Sequence, residues 1–154
     1  MRSFFAATLL VILLSTGVLA KPHCTFRLHC EANAHDGDVF STKLVSKFTG
    51  RPVVIEKTAS VTEFDVAAFY PVQADDGTLG AVFQLDDHGR LALDTLSVEH
   101  RGSDLFVFIN GRPITELQID RRISDGKVYV PSGLTTADIA SMRKDWRMIG
   151  QRKK

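Results

Sequence analysis

Three tight-turn signals, each set between short apolar runs, constrain the fold of this chain more than any other feature. They are "ADDGT" (Ala74 to Thr78), Asn110-Gly111 and Asp125-Gly126. Asn-Gly and Asp-Gly supply the positive φ angles that two-residue hairpin turns require, because neither dipeptide pays much for left-handed backbone. The flanking runs alternate as strands should. In "TLGAVFQL", Leu79, Ala81, Phe83 and Leu85 share one face. In "LFVFIN", Leu105, Val107 and Ile109 point one way and Phe106 and Phe108 the other, the pattern of a central strand covered on both faces. "PITELQI" and "KVYVP" read as half-buried strands. Three antiparallel hairpins are expected.

Upstream, "PVVIEK", "VAAFYPV" and Thr25 to Ala32 read as further strands. Helices are fewer. "TTADIASMRKDWRMI" sets Ile139, Met142, Trp146 and Ile149 on one stripe, with Thr135 or Thr136 as N-cap and Asp138 in the first turn. "DDHGRLALDTLSVEH" fits neither period strictly. Asp86 and Asp87 at its start favour a helix, since acidic side chains stabilise an N-terminus. The expected class is α+β: an antiparallel or mixed sheet with about two helices packed on it.

The first twenty residues read as a secretory signal peptide. Arg2 gives a positive n-region, Phe4 to Leu14 an apolar core, and Val18 and Ala20 the −3 and −1 positions of a cleavage site. This implies an exported, periplasmic protein whose residues 21–154 form a single domain; an uncleaved signal would instead tether it to the inner membrane. The chain carries 19 basic and 18 acidic residues, so losing Arg2 leaves 18 of each. That balance offers no footprint for nucleic acid. The local excess in "RKDWRMIGQRKK" leaves membrane-surface contact through the basic C-terminus open.

Candidate chemistry has a plainer reading at each place. Asp86, Asp87 and His88 are consecutive at a helix start, where capping explains the aspartates better than one shared ion. Glu99, His100 and Arg101 fall at a helix end, where His and Arg meet the dipole favourably. "AHDGD" (Ala34 to Asp38) reads as a turn rather than a calcium loop. No G-x-S-x-G elbow, P-loop or G-x-G-x-x-G run is present. His23, His29 and His35 recur every six residues, but in a strand such positions lie about 20 Å apart, too far for one ion. The same geometry separates Cys24 from Cys30 unless the N-terminus folds back to form a disulfide, which an exported compartment would permit. A copper site on a mature Lys-Pro-His terminus fails because Pro22 has no amide proton to lose. Phe26, Leu28 and Cys30 are expected to face the core. No catalytic, cofactor or metal residue is assigned.

The order of elements in the C-terminal half, with "LFVFINGRPI" and "ISDGKVYVPSGLTTADIASM", resembles the periplasmic head subdomain of the protein-export membrane proteins SecD and SecDF. Gly111, Gly126, Gly133 and Thr135 take matching positions, with Leu134 where the family often has Phe. "TEFDVAAFYPV" and "GAVFQLDDHGRLALDTL" match the preceding elements more loosely, so the resemblance covers about Ser60 to Ile149. Two departures stand out: "TELQI" lacks the proline the family often places after the hairpin, and no membrane-spanning pattern follows the signal. The resemblance implies an exported, non-enzymatic binding module engaging a translocating polypeptide or an envelope partner, Sec translocon components among them. The alternative is a small secreted hydrolase or metal-dependent enzyme built from scattered residues, such as His88 or His100 beside a carboxylate.

Overall fold

Among the described residues ten strands and two helices form; seven of the strands lie in the expected alternating runs, and three, at Ser41–Val45, Val61–Thr62 and Arg147–Met148, form where none was expected. The computed structural model describes residues 22–33, 35 and 37–151; the signal-peptide expectation therefore lies outside the described residues. Chain order is β1 (Phe26–Cys30), β2 (Ser41–Val45), β3 (Pro52–Glu56), β4 (Val61–Thr62), a 3-10 turn (Glu63–Asp65), β5 (Val66–Gln73), β6 (Leu79–Leu85), α1 (Asp87–Glu99), β7 (Asp104–Ile109), β8 (Arg112–Gln118), β9 (Lys127–Leu134), α2 (Thr136–Asp145) and β10 (Arg147–Met148). The class is α+β.

The strands form two four-stranded sheets, ordered β4-β1-β7-β8 and β10-β5-β6-β9, and a separate β2–β3 hairpin. Among the described residues, only the β10–β5 pair is parallel. The inner faces of the two larger sheets make one core. Phe26, Leu28, Cys30, Leu105, Val107 and Ile109 come from the first sheet; Phe69, Ala81, Phe83, Val128 and Val130 come from the second. Phe26 and Phe83 meet across the gap with ring centroids 4.6 Å apart. Each fully buried side chain of this kind stabilises the fold by about 1.5–3 kcal/mol before entropy is counted.

The expected central strand is central: β7 lies between β1 and β8. Its outward Phe106 is buried as well, outside the main core, as is Ile55 of β3. The β2–β3 hairpin folds over this outer face, held by Ala32 N–H donating to the Val54 carbonyl at 2.8 Å and by Glu116. The Glu116 carboxylate accepts from Ser46 Oγ at 2.7 Å and Lys47 N–H at 2.6 Å.

Two of the three expected hairpins form: β5–β6 across Ala74 to Thr78, and β7–β8 across Asn110-Gly111, where both residues have positive φ. The third does not. Gly126 has the expected positive φ, but its carbonyl accepts from Leu85 N–H at 2.8 Å, so β9 enters the second sheet beside β6 instead of returning along β8. The long apolar stripe also ends early. α2 stops at Asp145, and the chain becomes extended at Trp146 so that β10 can pair with β5. Ile139, Met142 and Trp146 are buried as expected, whereas Ile149 lies past the helix and is partly exposed. α1 runs as Asp86 and Asp87 suggest, with Asp86 accepting from Gly89 N–H at 2.8 Å. Its ambiguous periodicity has a simple cause: Leu93 is buried while Leu91 and Val98 face solvent.

Candidate functional site

β8 and β9 are edge strands of different sheets that run side by side and diverge. They meet where Gly133, at φ +92°, approaches Ile114; a Cβ there would sit 3.3 Å from the Ile114 side chain. Towards the other end they part around a cleft of about 640 Å³. Leu28, Leu93, Leu105, Leu117, Ile119 and Val128 make its floor, and Arg122, Lys127 and Tyr129 stand on its rim. The wall formed by the 119–126 crossing is pinned to α1. Arg122 makes a paired contact with Asp94 (Nε to Oδ1 2.5 Å, Nη2 to Oδ2 2.7 Å), and Ile123 N–H donates to Ser97 Oγ at 2.8 Å. Hydrogen bonding to Arg122 holds the Asp94 carboxyl below its ordinary range.

The outer edges of β8 and β9 have no ladder partner among the described residues. Pro113 and Pro131 lie towards the closed end, where a missing N–H does no harm on an edge strand. At the open end, Leu117–Ile119 opposite Lys127–Tyr129, Ile119 is bonded within its own sheet: its N–H donates to the Ser103 carbonyl and its carbonyl accepts from Gly102 N–H. Lys127 N–H is taken by Asp125 Oδ1. Strand alternation leaves Gln118 of β8 and Tyr129 of β9 to present their backbone groups outward.

A second constellation lies at the start of α1. His88 Nδ1 is 2.6 Å from Asp65 Oδ1, and candidate ligand atoms of Asp65, Asp86 and His88 all lie within 4.8 Å of one another. Two residues of the consecutive triplet thus converge after all, on a carboxylate 21 or more residues away in sequence. Gly89 permits this: a Cβ there would fall 2.7 Å from the Asp65 Cβ, so only glycine lets the 3-10 turn touch the helix. Asp87 does not take part; it is exposed, 3.7 Å from Arg90.

Each carboxylate in the cluster already has donors. Asp65 Oδ2 accepts from Thr62 N–H at 2.7 Å and Thr62 Oγ1 at 3.1 Å, and Asp86 caps α1. Burial works against Asp65 ionisation, yet the Thr62 and His88 hydrogen bonds overcome it and hold its carboxyl below the usual range. His88 is raised, chiefly by its bond to Asp65 and then by the Asp65 charge. His88 is 79% exposed at its side chain and shares a shallow groove with Ser60, Leu91 and Leu96. A cation here would displace the His88 proton and face the positive end of the helix dipole.

The remaining candidates separate. His100 closes α1 with its N–H on the Leu96 carbonyl, and Arg101 donates to the Asp120 carbonyl. His23 meets Asp145 at 2.9 Å, and His29 Nδ1 lies 2.8 Å from the Glu56 carbonyl, so the six-residue rhythm ends in unrelated partners. In "AHDGD", Phe40 N–H and Ser41 N–H turn back on the Gly37 carbonyl; Ala34 and Asp36 lie outside the described residues. Cys24 and Cys30 are free, buried thiols. Burial, with Asp138 and Asp145 behind it, pushes Cys24 up to about 12.

The fold is one found in SecDF. Two solved SecDF structures align with a TM-score of 0.56 at 12% identity: the crystal structure of the super-membrane-facing form, over 83% of this chain, and that of a membrane component that enhances protein export, over 85%. The chain spans 20% of the length of the first and 69% of the second. No protein-family model and no curated protein matches the sequence. The likeness extends N-terminal to the Ser60–Ile149 stretch in which the sequence carries its resemblance. Among the described residues, no helix is long and apolar enough to cross a membrane.

Proposed function

We propose that this protein is an exported, non-enzymatic binding module that takes an extended polypeptide by strand addition in the cleft between β8 and β9. The observation that carries this reading is the divergence of two unpaired strand edges over an apolar floor. An extended chain satisfies free edge donors and acceptors with its own backbone, and every second side chain would enter the apolar cleft. Such recognition is tolerant of sequence, as a handler of unfolded substrates needs. The fold shared with a component that enhances protein export supports the same reading, and translocon components are the envelope partners it suggests.

The test is an NMR titration of residues 21–154 with a permanently unfolded, reduced polypeptide. The largest amide shifts are expected at Gln118 and Tyr129, the outward-pointing edge positions, and their immediate neighbours. Shifts confined to α1, or none on either edge, would refute the proposal.

One observation favours a second reading, a small hydrolase: His88 is oriented by a carboxylate and shares a groove with Ser60, whose hydroxyl lies 3.6 Å from Cys30 Sγ. Turnover of an activated ester that vanishes in both Ser60→Ala and His88→Gln would support it. Activity indifferent to either change would remove it.

A further inference from the structure

The β2–β3 hairpin carries a surface that the cleft does not use. Residues 41–55, "STKLVSKFTGRPVVI", contain Lys43, Lys47 and Arg51 and no acidic residue, in a chain with 19 basic and 18 acidic residues overall; Glu56 follows at the far end of the hairpin. At the tip, Phe48 is 70% exposed and Val45 65% exposed. Pairing puts Lys43, Val45, Pro52 and Val54 on one face, because Lys43 opposes Val54 and Val45 opposes Pro52. The other face, with Ile55, covers β1 and β7.

The exposure of Phe48 is built, not frayed. Ser46 N–H donates to the Arg51 carbonyl at 2.9 Å, Gly50 N–H to the Ser46 carbonyl at 3.0 Å, and Thr49 N–H to Ser46 Oγ at 3.0 Å. Glu116 grips Ser46 and Lys47 from beneath, and its charge is spent on those two donors at the base of the turn. Lys47, Phe48 and Arg51 therefore project together from a fixed, convex tip.

We infer that this tip docks on an anionic phospholipid surface, with the Phe48 ring entering the headgroup–acyl boundary and Lys43, Lys47 and Arg51 meeting lipid phosphates. A convex tip cannot enclose a peptide, whereas a deformable bilayer accepts a protruding ring flanked by cations. Aromatic side chains and basic residues are the pairing that membrane interfaces favour. The inference does not depend on the polypeptide cleft, which lies on different strands.

The test uses residues 21–154, which include every described residue and omit an apolar leader that would bind lipid by itself. The probes are vesicles of phosphatidylcholine alone and of phosphatidylcholine with a quarter phosphatidylglycerol. Flotation is expected with the anionic vesicles only, weakening with salt. Phe48→Ala should lower partitioning about tenfold, and each of Lys47→Glu and Arg51→Glu about fivefold or more. Phe48→Trp adds a local reporter: its emission should shift to the blue on anionic vesicles, while the lone native Trp146, buried in the core, stays unmoved. Anionic binding with no shift in Phe48→Trp would assign lipid contact to the basic C-terminus and overturn the inference. Equal binding to neutral vesicles, no binding to either, or full binding by Phe48→Ala would overturn it too. Far-ultraviolet circular dichroism of each variant confirms that the sheet is intact, and all three positions are exposed turn sites that leave the core untouched.

Discussion

Replacing Asp138 with Ala should remove more stability than any other single polar substitution at the α2 end of the molecule. Its carboxylate accepts from Thr135 N–H at 2.9 Å, Thr135 Oγ1 at 2.7 Å, Asn110 Nδ2 at 2.9 Å and Arg112 Nη2 at 2.6 Å. Thr135 and Asp138 form a reciprocal capping box, worth about 1 kcal/mol, and a carboxylate in the first turn adds about 0.5 kcal/mol through the dipole. The Asn110 bond contributes about 1 kcal/mol, because it locks a residue at φ +51° in the β7–β8 turn. Arg112 is half exposed, so its ion pair adds under about 1 kcal/mol. The loss comes to about 3 kcal/mol at neutral pH. Equilibrium urea unfolding followed by Trp146 fluorescence measures it, with an unchanged denaturant slope. Asp138→Asn keeps the shape and should lose about half as much. The sign of the pH dependence follows from the lowered folded pKa of Asp138: burial opposes ionisation, but the Thr135, Arg112 and Asn110 bonds outweigh it. The stability it contributes is therefore present above the unfolded pKa and is lost as pH falls through the lower folded value. The gap between wild type and Asp138→Ala should close below about pH 4. A loss under about 1 kcal/mol at pH 7, or a gap independent of pH, would refute the assignment of Asp138 as the joint between α2 and the β7–β8 turn.

Three further outcomes are expected. Gly89→Ala gains about 0.8 kcal/mol of helix propensity but must push Asp65 away, at a cost of about 1–3 kcal/mol, so net destabilisation in urea is expected together with a His88 pKa that falls back towards its ordinary value by NMR titration. The Asp65–His88 pair should stabilise most between the two groups' ordinary values, about pH 4 to 6.5: the raised His88 contribution is full below its unfolded pKa and lost as pH rises through the folded one, and the lowered Asp65 contribution is lost as pH falls. His88→Gln should flatten the alkaline side of that profile, and an unchanged profile would exclude the pair as its source. Cys24, buried and pushed up to about 12, should react with a thiol reagent only at the rate of unfolding, so labelling in native buffer within the mixing time would contradict its placement in the core.

What the sequence made legible was what is decided locally. Asn110-Gly111 and the Ala74–Thr78 turn close hairpins because their own backbone preferences and adjacent alternating runs suffice. Thr135 and Asp138 announce α2 in the same way. Asp125-Gly126 has equal local credentials and forms a turn, yet no hairpin, because the partner of β9 is settled by register: Val128 and Val130 must oppose Phe83 and Ala81. That choice lies between β8 and β6, one near in sequence and one remote, and no local signal separates them. The same non-local term divides the strands into two sheets and ends α2 at Asp145 in favour of β10.

The candidate sites follow the same divide. His88 was visible, but its partner Asp65 was not, since it arrives from a three-residue turn on the far side of β5 and β6. A signal did exist: "TEFD" at Thr62 to Asp65 repeats the Thr-x-x-Asp capping pattern of "TTAD" at Thr135 to Asp138, and both aspartates end up as buried acceptors that receive a further side chain, His88 in one case and Arg112 in the other. The cleft is a still less local object. It exists because β9 leaves β8 for β6, so the misplaced hairpin and the proposed binding edge are one event. Had Asp125-Gly126 closed a hairpin, β8 and β9 would share a ladder, and neither edge would be free to accept another chain.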